Sequence, residues 1–386
     1  MSETGANVKK ICFVINPLAG IGGPLGLKGS DGEAGLEALQ RGARLIAPSR
    51  AREFIAEAKR IGVLDKVVLL TANGLMGEDE LRSEGYQSPL IVYKYESFPT
   101  KAEDTKRTVT NCLREGAKLV VFVGGDGTAR DILSALERFR NTDIPLLGVP
   151  GGVKMYSSVF AENPRAAAHV LHEWLENPAT CEAEVLDIDE EAFRRGELRV
   201  RLYGYARTPC SRFLVGSSKQ PSPATPDEEE NKEAIARYIV ESMEHCTLYV
   251  LGPGSTTAKI AELMRAPKTL LGVDVYHNGR LIASDVDEKT LYNIVSNHVK
   301  RGGKAKIIVS PIGGQGYILG RGNQQISPRI VRLVGKENII VIATRSKIAR
   351  LRKLRVDTGD SKLDRDLRGY IRVVVDYGEE YVMKVE

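Results

Sequence analysis

One aspartate, Asp126, lies in a short glycine-rich segment directly after a run of apolar residues. Residues 119–132 read LVVFVGGDGTARDI. The apolar run at 119–123 is too short for a helix beside glycine and is typical of a buried strand, and a helix is predicted after Thr128. A carboxylate at such a turn can take the proton of a reacting hydroxyl, or it can simply cap the turn. The residue type alone leaves both roles open.

The glycines around this aspartate suit a phosphate group. Gly124, Gly125 and Gly127 let backbone N–H groups approach a phosphate closely, and the N-terminus of the following helix adds a positive dipole. A strand–glycine–helix turn is also a common tight connection, so the spacing leaves phosphate binding undecided. Two established nucleotide motifs are absent, because GGPLGLKGS at 22–30 lacks the P-loop spacing and no GxGxxG occurs.

The elements that position this turn alternate between strands and helices in the first half of the chain, which is typical of a parallel α/β sheet. Strands are predicted at 11–15, 67–71, 90–95, 119–123 and 146–149. Small or polar residues follow four of these strands, at 16–32, 72–77, 124–128 and 150–153. Because the carboxyl ends of parallel strands meet at one edge of a sheet, we expect a ligand site there.

The second half of the chain has a different pattern. Residues 184–188 and 198–205 predict strands joined by a turn, which favours antiparallel pairing. Later strands at 246–251 and 307–310 precede the segments GPGSTTA and PIGGQGYILGRGNQQISP. The sequence therefore predicts a Rossmann-like α/β domain followed by a β-rich domain. We expect the α/β domain at 1–180, the β-rich domain at 181–335, and a C-terminal segment at 336–386 that packs back on the first domain.

Composition excludes several classes of protein. The chain has 386 residues, 42% of them hydrophobic, which is enough for two packed domains. A net charge of +5 and 6% aromatic residues argue against a nucleic-acid partner. Five scattered cysteines without CxxC indicate neither a disulfide framework nor a zinc knuckle. No apolar run approaches the roughly 18 residues that a membrane span needs, so we expect a cytoplasmic protein.

Taken together, these segments resemble a known superfamily. GGDGT between a strand and a helix, downstream of a strand that ends in Asn-Pro, is similar to the NAD kinases, diacylglycerol kinases and sphingosine kinases. The ordered set INPLAGIGGPLGLKGSDG, GGDGTARD, GVPGGVKMYSSVFA, GPGSTTA and SPIGGQGYILGRGNQQISP resembles the archaeal and bacterial ATP-NAD-kinase-like branch, which includes proteins linked to acetoin catabolism. The resemblance covers nearly the whole chain. It implies an α/β nucleotide-binding domain and a β-sandwich-like domain that line a cleft, and a homo-oligomer.

The resemblance also implies roles for particular residues. Asp126 matches the motif aspartate that is the proposed base for the adenosine-ribose 2′-hydroxyl of NAD. Residues matching the nucleotide- and phosphate-binding segments are Asn16, Gly124, Gly125, Gly127, Thr128, Gly254, Ser255, Thr256 and Thr257. The donor is ATP or polyphosphate, with Mg²⁺ bridging phosphate oxygens. The sequence shows no protein cage for that ion.

Some residues depart from the NAD kinase pattern and widen the choice of substrate. Asp131 falls where the lipid kinases of the superfamily carry an acidic residue, and the Asn-Glu/Asp motif that holds NAD has no clear counterpart. Further candidates for substrate or phosphate binding are Lys28, Lys154, Gly313, Gly314, Gln315, Arg321 and Asn323. For Asp131 a helix-dipole role, and for the lysines a surface position, are the alternatives.

The sequence thus leads to one main hypothesis and two alternatives. The main one is a kinase that transfers the terminal phosphoryl group of ATP or polyphosphate to NAD, giving NADP, with Asp126 as general base. The second is a kinase for another alcohol, either lipid-like or small. The third is a nucleotide-binding regulator without catalysis, against which an intact Asp126 argues.

Overall fold

A computed structural model describes residues 8–25, 33–151, 155–188, 200–214, 226–312 and 315–386. The described residues divide into two compact units. The first unit contains residues 8–21, 33–151, 155–188 and 200–214, and the second contains 22–25, 226–312 and 315–386. Each unit has its own sheet and its own buried core, so the two are described in turn.

The first unit is built on a five-stranded sheet in which all neighbouring strands are parallel. Its strands are β1 (Lys9–Ile15), β2 (Val67–Ala72), β3 (Leu90–Tyr93), β4 (Val120–Gly124) and β5 (Leu146–Pro150). The spatial order is β3-β2-β1-β4-β5. The chain therefore moves outward from β1 on one side and returns to β4 on the other. Loops diverge at such a switch point, and the crevice between them is where open α/β sheets bind ligands.

Helices cover both faces of this sheet. They are α1 (Glu33–Gln40), α2 (Ala47–Arg60), α3 (Glu78–Ser83), α4 (Ala102–Arg114), α5 (Asp126–Arg138) and α6 (Pro164–Glu176). Phe13 packs with α2 and α6 on one face, whereas its neighbours Cys12 and Val14 pack with α4 and α5 on the other. All three side chains are fully buried. Burial on both faces explains why the strands are continuous apolar runs rather than alternating ones.

An antiparallel hairpin completes the first unit. Strands β6 (Thr180–Ile188) and β7 (Val200–Pro209) pair along their length, as the sequence predicted for this region. The hairpin groups with the first unit, although the sequence analysis placed residues from 181 onward in the second domain. A disulfide joins Cys181 to Cys210. The prediction of no disulfide is therefore wrong for this pair, because the two cysteines are 29 residues apart and only strand pairing brings them together.

The second unit contains a seven-stranded mixed sheet with the order β10-β9-β8-β11-β13-β15-β16. These strands are β8 (Thr247–Leu251), β9 (Asp274–His277), β10 (Arg280–Ala283), β11 (Lys304–Val309), β13 (Ile339–Ile342), β15 (Gly369–Asp376) and β16 (Glu379–Val385). The four central strands β8, β11, β13 and β15 are parallel, and antiparallel strands flank them. A separate parallel pair joins β12 (Tyr317–Leu319) to β14 (Arg355–Val356).

Helices cover both faces of the second sheet as well. They are α7 (Pro226–Glu241), α8 (Ser255–Leu263), α9 (Glu288–Lys300), α10 (Pro328–Val334), α11 (Arg345–Arg350) and α12 (Ser361–Leu367). Apolar residues of α7 and α8 pack on one face, and those of α9 and α10 pack on the other. The sheet is thus sandwiched between helices rather than stacked on a second sheet, which differs from the sandwich-like arrangement that the resemblance implies.

The fold class predicted from the sequence, a parallel α/β domain followed by a strand-rich domain, is confirmed. The C-terminal segment differs from its prediction. We expected residues 336–386 to pack back on the first domain, but β15 pairs with β13 and β16 in the second sheet. Alternating apolar residues along β15 fill the core of the second unit, with Val373 and Val375 on one face and Val374 on the other. That packing keeps the segment in the second unit.

Candidate functional site

The switch point of the first sheet brings two of the predicted segments together. Asn16 directly follows β1, and Gly124 ends β4, which is the neighbour of β1. The side-chain amide of Asn16 donates a hydrogen bond to the Thr128 hydroxyl, with Nδ2 and Oγ1 3.0 Å apart. The Asn-Pro loop and the GGDGT turn are therefore linked at the carboxyl edge of the sheet. These are the residues that the sequence predicted to bind phosphate.

The turn itself requires a glycine at its first position. A Cβ atom on Gly124 would lie 2.5 Å from the Thr128 Oγ1 atom, which is closer than side chains tolerate. Gly125 is the N-cap residue in extended conformation, and α5 begins at Asp126. The first turn of a helix has N–H groups without intrahelical partners. The turn therefore places the positive end of a 13-residue helix at the switch point.

Asp126 is buried in this turn, with 6% of its surface exposed. Its Oδ2 atom accepts a hydrogen bond from the Tyr156 backbone N–H, and its Oδ1 atom accepts one from the Ser157 N–H, each at 2.8 Å. Backbone donors of this kind stabilise a negative carboxylate and fix its orientation. Burial and the charge of Asp126 both raise the pKa of the Tyr156 phenol. Asp126 is thus a carboxylate held in one position at the N-terminus of α5.

Tyr156 and Ser157 are the partners that sequence reasoning missed. They lie after β5, in the segment GVPGGVKMYSSVFA, which is one of the segments that carry the family resemblance. The Ser157 hydroxyl also donates to the Leu186 carbonyl and accepts from the Leu186 N–H, which ties this segment to β6. No residue type marks a backbone N–H donor, so only the tertiary structure reveals these contacts.

Asp131 has a partner within the fold. Its Oδ1 atom lies 3.3 Å from the Lys106 ammonium on α4, and 13% of its side chain is exposed. The pair joins α4 to α5 and accounts for an acid at this position without a substrate. Lys28, Lys154, Gly313 and Gly314, which the sequence also proposed as ligand contacts, lie outside the described residues.

In the second unit the segment GPGSTTA forms another strand–turn–helix. Gly254 has a φ of 131° and a ψ of 160°, a conformation that is essentially restricted to glycine, and it precedes α8. The Thr257 hydroxyl donates to the carbonyls of Gly252 and Gly254 at 2.8 Å each. Thr256 and Thr257 are buried, whereas Ser255 is exposed at the helix N-terminus. Thr257 thus shapes the turn, and Ser255 is the residue that a ligand can reach.

The polar residues of the GGQGYILGRGNQQ segment are engaged inside the second unit. The Arg321 side chain is 1% exposed, and its Nε lies 3.0 Å from the Asp357 carboxylate. Its guanidinium also stacks 4.1 Å from the centre of the Tyr317 ring. Asn323 bonds the Gly320 N–H and the Ile318 carbonyl, while the buried Gln315 accepts from Arg355 through its backbone carbonyl. These contacts account for Arg321 and Asn323 without a ligand.

Two general features of the described residues bear on function. Across 8–25, 33–151, 155–188, 200–214, 226–312 and 315–386, no group of three or more His, Cys, Asp or Glu side chains is arranged to hold a metal ion. In the same ranges no helix is long and apolar enough to cross a membrane.

The fold and the GGDGT turn define a two-domain α/β protein with a glycine-rich turn at the switch point of its parallel sheet. Comparison with protein families identifies the class more closely. Residues 15–179 match the ATP-NAD kinase N-terminal domain, and residues 248–385 match the ATP-NAD kinase C-terminal domain. The chain therefore belongs to the ATP-NAD kinase family, as the sequence resemblance predicted. The family implies ATP and NAD as substrates. No curated protein matches the chain.

Proposed function

We propose that the chain is an NAD kinase that transfers the terminal phosphoryl group of Mg-ATP to the adenosine-ribose 2′-hydroxyl of NAD, forming NADP and ADP. Two findings support this proposal. Both halves of the chain match ATP-NAD kinase domains. In addition, the motif aspartate Asp126 lies at the carboxyl edge of a parallel sheet, at its switch point.

The position of Asp126 is the observation that carries the mechanism. During transfer the 2′-oxygen bonds to the γ-phosphorus, the bond from that phosphorus to the bridging oxygen breaks, and the hydroxyl proton goes to Asp126. Two backbone N–H groups hold the Asp126 carboxylate in one orientation. This orientation matters because phosphoryl transfer depends mainly on positioning and on stabilising charge, and the proton leaves as the new bond forms.

The phosphates need donors on the protein. We assign the first-unit contacts to the turn of Gly124, Gly125, Gly127 and Thr128, with Asn16 holding the Thr128 hydroxyl in place. In the second unit we assign Gly254, Ser255 and Thr256 to phosphate contact and Thr257 to shaping the turn. Mg²⁺ enters as part of the nucleotide substrate, bridging its phosphate oxygens. We leave Arg321 and Asn323 out of the proposed site because their partners lie within the fold.

The proposal is tested by product identity. The protein is incubated with Mg-ATP and NAD, and NADP is measured with an NADP-specific dehydrogenase, with polyphosphate as the donor in a parallel reaction. We expect NADP to form at a rate proportional to protein concentration.

A second arm uses ATP labelled in its γ-phosphate and a panel of other alcohols, including lipid-like ones. Label on another alcohol without any NADP would overturn the proposal in favour of a different kinase. ATP binding without transfer to any acceptor would indicate a nucleotide-binding regulator.

A further inference from the structure

The second sheet carries a lysine that the sequence analysis did not single out. Lys347 lies in α11, directly after β13. Its ammonium donates to the Ser310 hydroxyl at 3.2 Å and to the Pro311 carbonyl at 2.9 Å. Ser310 and Pro311 directly follow β11, the neighbour of β13. The ammonium is therefore held at the carboxyl ends of two adjacent parallel strands.

The surroundings of Lys347 leave its charge without an adjacent carboxylate. Within the described part of the chain it forms no salt bridge, and its two recorded acceptors are neutral. Glu228 on α7 attracts it from a distance, and Lys232 on the same helix repels it. The Glu228 carboxylate accepts hydrogen bonds from the hydroxyls of Thr344, at 2.7 Å, and Ser346.

Burial is the main influence on this ammonium, and it lowers the pKa of Lys347 to about 8. The residue as a whole is half-buried, whereas its ammonium is surrounded by protein. Charged groups surrounded by protein are normally paired, because moving an unpaired charge out of water is costly. A desolvated ammonium that has only neutral hydrogen-bond partners is suited to bind an anion.

The strand register places this ammonium beside the GPGST turn. Leu251 of β8 lies opposite Ile308 of β11, and the Gly252 N–H donates to the Ile308 carbonyl at 2.9 Å. The turn after β8 and Ser310 after β11 therefore follow the same end of two adjacent strands, which are about 4.8 Å apart. Helix α8 begins in this turn, at the exposed Ser255. Strand β9 lies on one side of β8 and strand β11 lies on the other side. The connections that follow β8 and β11 therefore diverge at this point of the sheet.

We propose that Lys347 is a phosphate-binding residue, which holds the pyrophosphate group of a nucleotide between its ammonium and the N-terminus of α8 at Ser255. Two of the three N–H groups of the ammonium donate to Ser310 and Pro311, which leaves one to donate to a phosphate oxygen, and lysine is a common phosphate ligand. Ser310 positions the ammonium through its hydroxyl. The claim that the ligand is a nucleotide rests on the proposed function. The claim that the site recognises a pyrophosphate group rests on the contacts of Lys347.

Binding to the full chain tests this inference without requiring turnover. The affinities of ADP, NAD and inorganic pyrophosphate are measured by equilibrium dialysis for the unmodified protein and for Lys347→Met. We expect the substitution to weaken binding of at least one of these probes at least about 10-fold, as for loss of a charge-assisted hydrogen bond. The probe that loses affinity identifies whether the donor nucleotide, the dinucleotide or a free pyrophosphate uses the site. Unchanged affinity for all three would overturn the inference.

Two matched variants separate phosphate binding from general effects of charge. Lys304→Met removes one positive charge from the other end of β11, where the lysine side chain is 76% exposed, and should leave the three affinities unchanged. Lys347→Arg keeps the charge and should recover part of the affinity.

A pH series adds a further readout. With Glu228 and Lys232 as the charged groups facing it, deprotonation of Lys347 should weaken binding about 10-fold between pH 7 and pH 9. Lys347→Arg should abolish this dependence, and an unaltered dependence would count against the inference.

A measurement on the unmodified protein covers the case in which Lys347→Met does not fold. A limiting amount of acetic anhydride at pH 8 should acetylate Lys347, because its lowered pKa leaves much of it as the free amine. Pyrophosphate or ADP should protect it, as seen by mass spectrometry of peptides. Acetylation at the same rate with and without these probes would overturn the inference. Protection of Lys347 in a protein that forms no NADP would retain the phosphate site while rejecting the proposed function.

Discussion

At the scale of single residues, Asp126 illustrates how one carboxylate can serve both structure and chemistry. Its two oxygens accept backbone N–H groups of Tyr156 and Ser157, so the side chain anchors the segment that follows β5. The same bonds hold the carboxylate in one orientation at the N-terminus of α5. A base for phosphoryl transfer needs this fixed position more than it needs a high proton affinity.

Replacing Asp126 with Asn separates these two roles. We expect Asp126→Asn to lower the rate of NADP formation about 10²–10⁴-fold, since the amide cannot take the proton. The amide nitrogen would also face a backbone N–H donor, and the lost bond should reduce the free energy of unfolding by about 1–3 kcal/mol. Rates are measured with the coupled assay and stability by urea denaturation.

Asp131→Asn is the matched control on the same helix. Because Asp131 pairs with Lys106, we expect near-normal turnover and an unchanged KM for the acceptor. ATP affinity should remain close to normal in both variants. If the protein is a regulator rather than a kinase, neither variant should change its ATP affinity much, and no NADP should form. A raised KM for the acceptor in Asp131→Asn would instead support substrate contact by Asp131.

Arg321 is a second residue whose role depends on its surroundings. It is 1% exposed and pairs with Asp357, so removal of the guanidinium leaves a buried carboxylate without its cation. We expect Arg321→Met to lower the free energy of unfolding by about 3–5 kcal/mol, measured by urea denaturation. The double variant Arg321→Met/Asp357→Leu should recover part of that loss. Normal stability with a raised KM for NAD would contradict the structural role and support substrate binding.

At the scale of elements, both units place a glycine turn between a parallel strand and a helix. In the first unit β4 leads through Gly124 and Gly125 into α5, and in the second β8 leads through Gly254 into α8. The sequence predicts the first turn with its helix, because an apolar run followed by glycines and a helical pattern is a local signal. For the second turn it predicts the strand that precedes the glycines. The strand order around each turn is not local, and it determines which other loops lie beside the turn.

The β6–β7 hairpin carries the disulfide, and its contribution can be measured. Closing a loop between residues 29 apart, from Cys181 to Cys210, restricts the unfolded chain and should stabilise the fold by about 3 kcal/mol. We expect Cys181→Ser/Cys210→Ser to lower the free energy of unfolding by that amount under non-reducing conditions. Urea denaturation with and without dithiothreitol provides the measurement.

Cys246→Ser serves as the control for this hairpin, because Cys246 is an exposed free thiol. The Cys246→Ser variant should be as stable as the unmodified protein. Dithiothreitol should lower the free energy of unfolding of these two proteins by the same amount. If the double variant and the unmodified protein unfold at the same urea concentration without reductant, the disulfide does not form in solution.

At the scale of the whole molecule, the chain consists of two units that each bury a helix-covered sheet. In the first unit apolar residues of β1 alternate between two cores, and in the second those of β15 do the same. Both sheets have parallel central strands, so each unit presents a carboxyl edge where loops and helix N-termini meet. The proposed contacts of Asp126 lie at one such edge, and those of Lys347 at the other.

The overall stability of the protein should depend on pH through Glu80. Burial raises the pKa of Glu80 to about 7 from an ordinary value of 4.5, with Asp79 raising it further and Arg52 lowering it. Its Oε2 atom has no hydrogen-bond partner among the described residues. The folded state thus binds more protons than the unfolded state between pH 4.5 and 7. The contribution of Glu80 to the free energy of unfolding is fully present below pH 4.5. It is lost as the pH rises through 7, and the total loss is about 3 kcal/mol.

Glu80→Gln should remove this dependence and stabilise the protein at pH 8. The difference in unfolding free energy between Glu80→Gln and the unmodified protein is measured by urea denaturation from pH 5 to pH 8. It should grow with pH. Glu78→Gln, on the same helix but paired with Arg82, should show no such growth. A difference that stays constant across the range would show that Glu80 ionises normally.

The sequence alone predicted the family, the parallel sheet of the first unit and the GGDGT turn between a strand and a helix. These features depend on local patterns, since strand and helix periodicity, glycine turns and motif residues are all written within a few neighbouring positions. The same reasoning named Asn16, Asp126 and Thr128 as candidates, and whether they bind substrate stays a prediction.

The fold alone sets which distant residues meet. It paired Cys181 with Cys210 and Arg321 with Asp357, and it placed Lys347 against Ser310. It also placed the C-terminal strands in the second sheet and covered that sheet with helices. Such contacts depend on how whole elements pack, because burial of apolar faces selects the strand order, and the strand order then sets the neighbours of each polar side chain.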